Sequence, residues 1–186
     1  MTLPPVEQVA LVVEAARAAR PALGSTVVVA VDGRSGSGKT VLGTAVAAAL
    51  ACPVVHLDEI YPGWDGLEAG VQLATDLVLD PLARGERAAY PRWDWMRSRP
   101  GRTIEVDAAR HLVLEGCGAL VPPAARHAAV RVWVEAPTPV RKQRALSRDG
   151  EAYAPHWDRW AAQEDAVYAG SRPWERADLL LTTAAP

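Results

Sequence analysis

An α/β fold in three layers, with helices on both faces of a mostly parallel five-stranded sheet, is what the 186 residues predict. Three observations lead there. β-branched apolar runs recur without polar alternation, as strands covered on both faces require. Stretches with helical periodicity separate them, as parallel connections demand. A glycine-rich loop follows the first run directly.

Val6, Val9, Val13 and Ala16 recur every three or four residues in an alanine-rich stretch, so residues 6–19 are expected to form an amphipathic helix, ended by Pro21. The run "STVVVAVDG" is the first strand, and a helix follows from about Lys39 to Leu50. "CPVVHLDE" is the second strand, after which Leu67, Val71, Ala74 and Val78 mark a helix. Residues 84–102 are irregular and rich in arginine, tryptophan and proline, which fits an insertion serving a site. "RTIEV" is a short edge strand or hairpin arm. "HLVLEG", "VRVWVEA" and "ADLLLTT" are the third, fourth and fifth core strands. Helices are expected over Val140 to Arg148 and from about His156 to Tyr168.

This length fits one domain over residues 1–186, with an N-terminal helical segment at 1–24, and 49% hydrophobic residues can fill a single sizeable core. A net charge of -2 without a long basic run excludes sequence-independent nucleic-acid binding. The first twenty residues have no early positive charge, and Glu7, Gln8 and Glu14 interrupt their apolar residues, so no secretory signal is expected. No apolar stretch reaches membrane-spanning length, and the expected compartment is the cytoplasm. Cys52 and Cys117 are too few for a disulfide framework and are expected to be small buried residues. His56, His111, His127 and His156 lack the spacing by which two of them would share a metal, which argues against a metalloenzyme with protein-only ligands.

Residues 33–40, "GRSGSGKT", match G-x-x-x-x-G-K-[ST], the Walker A pattern, between a strand and a helix. Backbone N–H groups around Gly33, Ser35, Gly36, Ser37 and Gly38 can form an anion nest to which the helix dipole adds. Lys39 can reach the outer phosphates and Thr40 can offer its hydroxyl to magnesium. A bound nucleoside triphosphate is therefore expected, with ATP and Mg2+ as cofactors. Ligands of open α/β sheets lie at the carboxyl ends of the strands, where Asp58 ends the second strand and Glu115 the third. Glu115 suits a magnesium ligand or a holder of its water shell. Asp58 suits a base that orients an acceptor hydroxyl, and Glu59 could exchange roles with it.

With "GRSGSGKT", "LDEIY", "YPRWDW", "LVLEG" and "RKQRALSRD" in this order, the chain resembles the uridine kinase branch of the P-loop kinases, relatives of phosphoribulokinase and bacterial pantothenate kinase. The resemblance spans roughly residues 26–150 and implies a P-loop NTPase sandwich with a helical lid over about 141–168. It makes Asp58 and Tyr61 the family's Asp-x-x-Tyr element, with Asp58 the base. It makes Pro91, Trp93, Asp94 and Trp95 the nucleoside-contacting element, from which Arg92, Trp93 and Asp94 are expected at the acceptor. Trp64 adds a broad ring nearby. The family usually has smaller aromatics where this chain has Trp93 and Trp95, so a reshaped acceptor pocket is expected.

Arg141, Arg144 and Arg148 share one helical face. In similar kinases this region is the lid, which makes Arg144 and Arg148 the expected contacts to the transferring phosphate. Trp157 and Trp160, three residues apart, serve either the core or an acceptor wall.

The leading expectation is a small-molecule kinase acting on a nucleoside hydroxyl. A phosphorylated or carboxylated acceptor, such as a nucleoside monophosphate or pantothenate, is an alternative, since the arginines of 84–102 could bind its anion. An antibiotic acceptor stays open. A non-catalytic ATP-binding regulator is the alternative of another class, and the absence of Asn-Lys-x-Asp argues against a GTPase. Related kinases are often dimers or tetramers, so a homo-oligomer is implied by resemblance alone.

Overall fold

Val27–Asp32 is buried at all six positions, which suits a run with no polar residue before Asp32 and places it mid-sheet. The computed structural model describes residues 5–183. The strands among them are β1 (Val27–Asp32), β2 (Val54–His56), β3 (Ala88–Asp94), β4 (Arg99–Val106), β5 (His111–Glu115), β6 (Ala128–Glu135) and β7 (Leu179–Thr182). The helices are α1 (Pro5–Ala18), α2 (Lys39–Leu50), α3 (Leu67–Ala74), α4 (Asp80–Ala83), α5 (Thr138–Asp149) and α6 (Trp157–Ser171). The main sheet runs β2-β5-β1-β6-β7 with parallel pairing throughout.

Alternate residues of β1 feed opposite cores, as a pleated strand dictates. Val29 and Val31 pack with Val12, Val13 and Ala16 of α1 and Leu42 and Val46 of α2. Val28 and Ala30 face the other layer, among Leu67, Val71 and Ala74 of α3 and Trp160 of α6. These are the three layers expected. No described helix is long and apolar enough to cross a membrane.

Two local readings change. Residues 84–102 are not irregular: β3 and β4 pair as an antiparallel ribbon with a register shift between Pro91 and Trp93. Both strands of a lone ribbon are edges, so Pro91 and Pro100 fit where a central strand would exclude them; those prolines masked the strand pattern. The helix begun at α3 passes through a π turn, Thr75–Leu79, into α4. Pro81 lacks the N–H that a continuous α-helix would bond at that point, and the Thr75 hydroxyl donates back to the Val71 carbonyl at 2.9 Å.

Candidate active site

The order β2-β5-β1 sets three strand ends side by side: Asp58 just past β2, Glu115 at the tip of β5, and the glycine-rich loop after β1. One cavity of about 500 Å3 opens along them, lined by Lys39, Thr40, Asp58 and Glu115 and walled by aromatic rings.

The loop needs its glycines for space as well as rotation. Gly36 has φ +80, and a Cβ there would stand 2.1 Å from the Arg141 carbonyl oxygen; one on Gly33 would stand 2.3 Å from that of Val134. Three loop amides are spent inside the protein, that of Gly33 on Asp32 Oδ1 at 2.7 Å, that of Ser35 on Glu164 Oε1 at 2.7 Å and that of Ser37 on the Arg34 carbonyl at 3.1 Å. An anion nest thus falls to Gly36, Gly38, Lys39 and Thr40 at the start of α2. The Ser37 side chain is fully buried and its hydroxyl oxygen has no hydrogen-bond partner among the described residues.

Lys39 is only 8% exposed. Burial works against its charge, yet Cys117 and the carboxylates of Glu115, Glu164 and Asp32 around it hold its pKa above the usual lysine value. Behind the loop, the buried Asp32 carboxylate accepts from the amides of Gly33, Gly118 and Leu120 and from the Tyr168 hydroxyl. Burial outweighs those bonds and raises its pKa to about 6.

Glu115 is 2% exposed; it accepts from the Thr40 hydroxyl at 3.3 Å and meets His56 Nδ1 at 2.6 Å. The last contact follows from register, because His56 and Glu115 are partners across the parallel β2–β5 pair. The Glu115 hydrogen bond raises the His56 pKa. His56, Asp58 and Glu115 bring ligand atoms within 4.8 Å of one another. One histidine therefore joins two carboxylates here, although no two histidines are spaced to share a metal. Thr40, Asp58 and Glu115 supply the oxygen donors that magnesium prefers, so the residues at this end of the cavity fit that ion.

Asp58 is solvent-exposed along the cavity, where the neighbouring protein displaces part of its water. Burial first, and the Glu115 charge second, push its pKa above the usual carboxylate value. Glu59 is turned elsewhere: its oxygens take the Tyr90 hydroxyl at 2.7 Å and Arg92 at 3.0 Å. Of the two acids only Asp58 lines the cavity. Tyr61 lines it too, with its hydroxyl donated to the Cys117 carbonyl at 2.8 Å.

The residues of the Pro91–Trp95 element are distributed unevenly. Trp95 lines the cavity and donates its indole N–H to the Asp58 carbonyl at 2.9 Å. Trp93 is half-buried outside the lining, Asp94 pairs with Arg97 at 2.9 Å, and Arg92 is held by Glu59. Trp64 lines the cavity among Trp95, Tyr153 and His156, the last stacked at 4.3 Å. Trp160 is a wall residue and Trp157 is not. Trp95 is the member of the expected nucleoside-contacting element that reaches the cavity; Tyr153 is a wall residue that was not among those expected at the acceptor, an ordinary core aromatic by pattern that only the fold turns to the cavity.

The three helix arginines separate. Arg141 is buried beneath the loop, donating to the carbonyls of Ser35 at 3.2 Å and Ala136 at 3.2 Å. Arg144 donates to the Thr183 hydroxyl at 2.8 Å, which itself donates to the Ser37 carbonyl at 2.8 Å. Arg148 alone of the three lines the cavity. Residues 138–171 are largely helical and close one side of it through Arg148, Ala152, Tyr153 and Trp160.

No protein-family model matches the chain, and no curated protein matches it. Among solved structures, it is similar to a provisionally named uridine kinase from Bacillus stearothermophilus, with 19% identity over 95% of this chain and 98% of that one and a TM-score of 0.69. It is also similar to a provisionally named fructose transport system kinase from a Silicibacter species, with 20% identity over 93% and 98% of the two chains and a TM-score of 0.56. At these identities the likeness gives the fold alone, an α/β sandwich around a mostly parallel five-stranded sheet.

Proposed function

We propose that the protein is an ATP-dependent small-molecule kinase that passes the γ-phosphoryl group to a hydroxyl, with a nucleoside as the favoured acceptor. One observation carries the reading: the phosphate loop and the Asp58 carboxylate open onto the same cavity. In this reading Gly36, Gly38 and Lys39 hold the triphosphate, Thr40 and Glu115 hold magnesium, Arg148 offsets charge on the transferring group, and Asp58 orients the acceptor and takes its proton. Magnesium would neutralise charge on the β- and γ-phosphates.

The walls favour a flat, uncharged acceptor. Tyr61, Trp64, Trp95, Tyr153 and Trp160 face the cavity beyond Asp58, and rings of this kind stack planar groups. None of the six arginines of 84–102, candidates for recognising an acceptor phosphate, lines the cavity, and three pair elsewhere: Arg84 with Glu86, Arg92 with Glu59 and Arg97 with Asp94. The cytoplasm and a homo-oligomer complete the proposal.

ADP release measured with nucleosides, nucleoside monophosphates and pantothenate tests it. Turnover dependent on a nucleoside supports the reading, whereas ATP binding without any acceptor-dependent turnover identifies a regulator. Trp95→Leu is expected to raise the acceptor KM roughly tenfold and to leave the KM for Mg-ATP unchanged, as steady-state kinetics with each substrate varied will report. The pH profile gives a further check. Since the base must be ionised and burial raises the Asp58 pKa, kcat/KM should climb with pH through an acid limb above the ordinary aspartate value of about 3.9. A limb at or below that value would remove Asp58 from the role.

A further inference from the structure

We infer that Glu164 is a positioning residue for donor binding, holding the crest of the phosphate loop in its anion-receiving shape through the Ser35 amide. Glu164 is 1% exposed, a costly place for a carboxylate. Its Oε1 accepts from Ser35 N–H at 2.7 Å and from the Cys117 thiol at 3.2 Å, while Oε2 lies 3.7 Å from Arg34 Nη1. A negative charge behind an anion nest weakens anion binding unless it does something else for the nest. The bond to Ser35 supplies that: it ties one end of a backbone whose glycines at 33, 36 and 38 have φ of +154, +80 and +99 and little resistance to rotation. Donors aimed in advance at an anion cost no rearrangement when it arrives.

The helix carrying Glu164 is itself anchored at both half-sites. Trp160, Glu164 and Tyr168 fall at i, i+4 and i+8, on one face of α6. Trp160 lines the acceptor end of the cavity, and the Tyr168 hydroxyl donates to Asp32 at 2.6 Å. On the neighbouring row Gln163 donates to the Trp64 carbonyl at 2.6 Å, and Arg159 pairs with Asp65. Glu164 thus passes a fixed frame to the loop.

The inference rests on residues 33–40 holding a triphosphate. Its test is calorimetric titration of Mg-ATP into the wild type, E164A, E164D and E164Q, with Ser35 amide hydrogen exchange followed by NMR. E164A is expected to weaken Mg-ATP binding roughly tenfold or more and to speed Ser35 exchange by a comparable factor. E164D keeps the charge but falls a methylene short of Ser35, so it should lose affinity as E164A does. E164Q, whose side-chain oxygen still accepts the amide, should stay within about threefold of wild type in both measurements. Wild-type affinity in E164D overturns the inference even if E164A does not fold, and so does an E164Q that loses as much as E164D. A wild type that binds no Mg-ATP overturns the donor reading and this inference together.

Discussion

Asp58→Asn is expected to leave Mg-ATP affinity within about twofold of wild type and to lower acceptor-dependent kcat by about 10²- to 10⁴-fold, the span of a lost general base. The substitution keeps shape and removes only charge and basicity. The bond from the Trp95 indole goes to the backbone carbonyl of residue 58 and survives it. Glu59 offers no replacement, because Tyr90 and Arg92 occupy its two oxygens. Nor does Glu115, buried against His56 and Thr40. Calorimetry on the variant separates binding from chemistry, and ADP release with a working acceptor measures the loss. Retained turnover would mean that the hydroxyl is oriented by something other than this carboxylate.

What made Asp58 and Glu115 legible in the sequence was position: an acid directly after a short apolar run, in a chain whose first strand ends in a glycine-rich loop of the G-x-x-x-x-G-K-[ST] pattern. The strands and most helices were legible for the same reason, since parallel strands buried on both faces announce themselves by unbroken β-branched runs. Pairing was not. His56 meets Glu115 only because β2 lies beside β5, and fifty-nine residues separate the two in the chain. A local pattern cannot report a neighbour supplied by sheet order. The arginine trio fails similarly: its helical spacing was correct, but a shared face says nothing of the distance from each residue to the loop, and Arg141 lies under it while Arg148 reaches the cavity. The ribbon of β3 and β4 was obscured by prolines that a two-stranded sheet tolerates.

Lys39→Met should have the larger effect, lowering kcat/KM for Mg-ATP by about 10³-fold or more, because it removes both a charged hydrogen bond to the donor and a donor aimed at charge developing in the transition state. Burial favours a neutral group at this site, which would make methionine welcome, yet Cys117, Glu115, Glu164 and Asp32 together outweigh it and the lysine pKa is raised. The folded state therefore favours the cation more than water does, and taking it away destabilises the fold. Thermal melting resolves the two effects. Mg-ATP at about 100 times its Kd stabilises a binding protein by about 2.7 kcal/mol, several degrees for a chain of this size. Wild type should show that rise; Lys39→Met should melt lower without nucleotide and gain almost nothing from it. A variant that melts lower but keeps the full nucleotide-dependent rise would leave Lys39 a partner of buried acids and transfer the grip on the triphosphate to the loop amides alone.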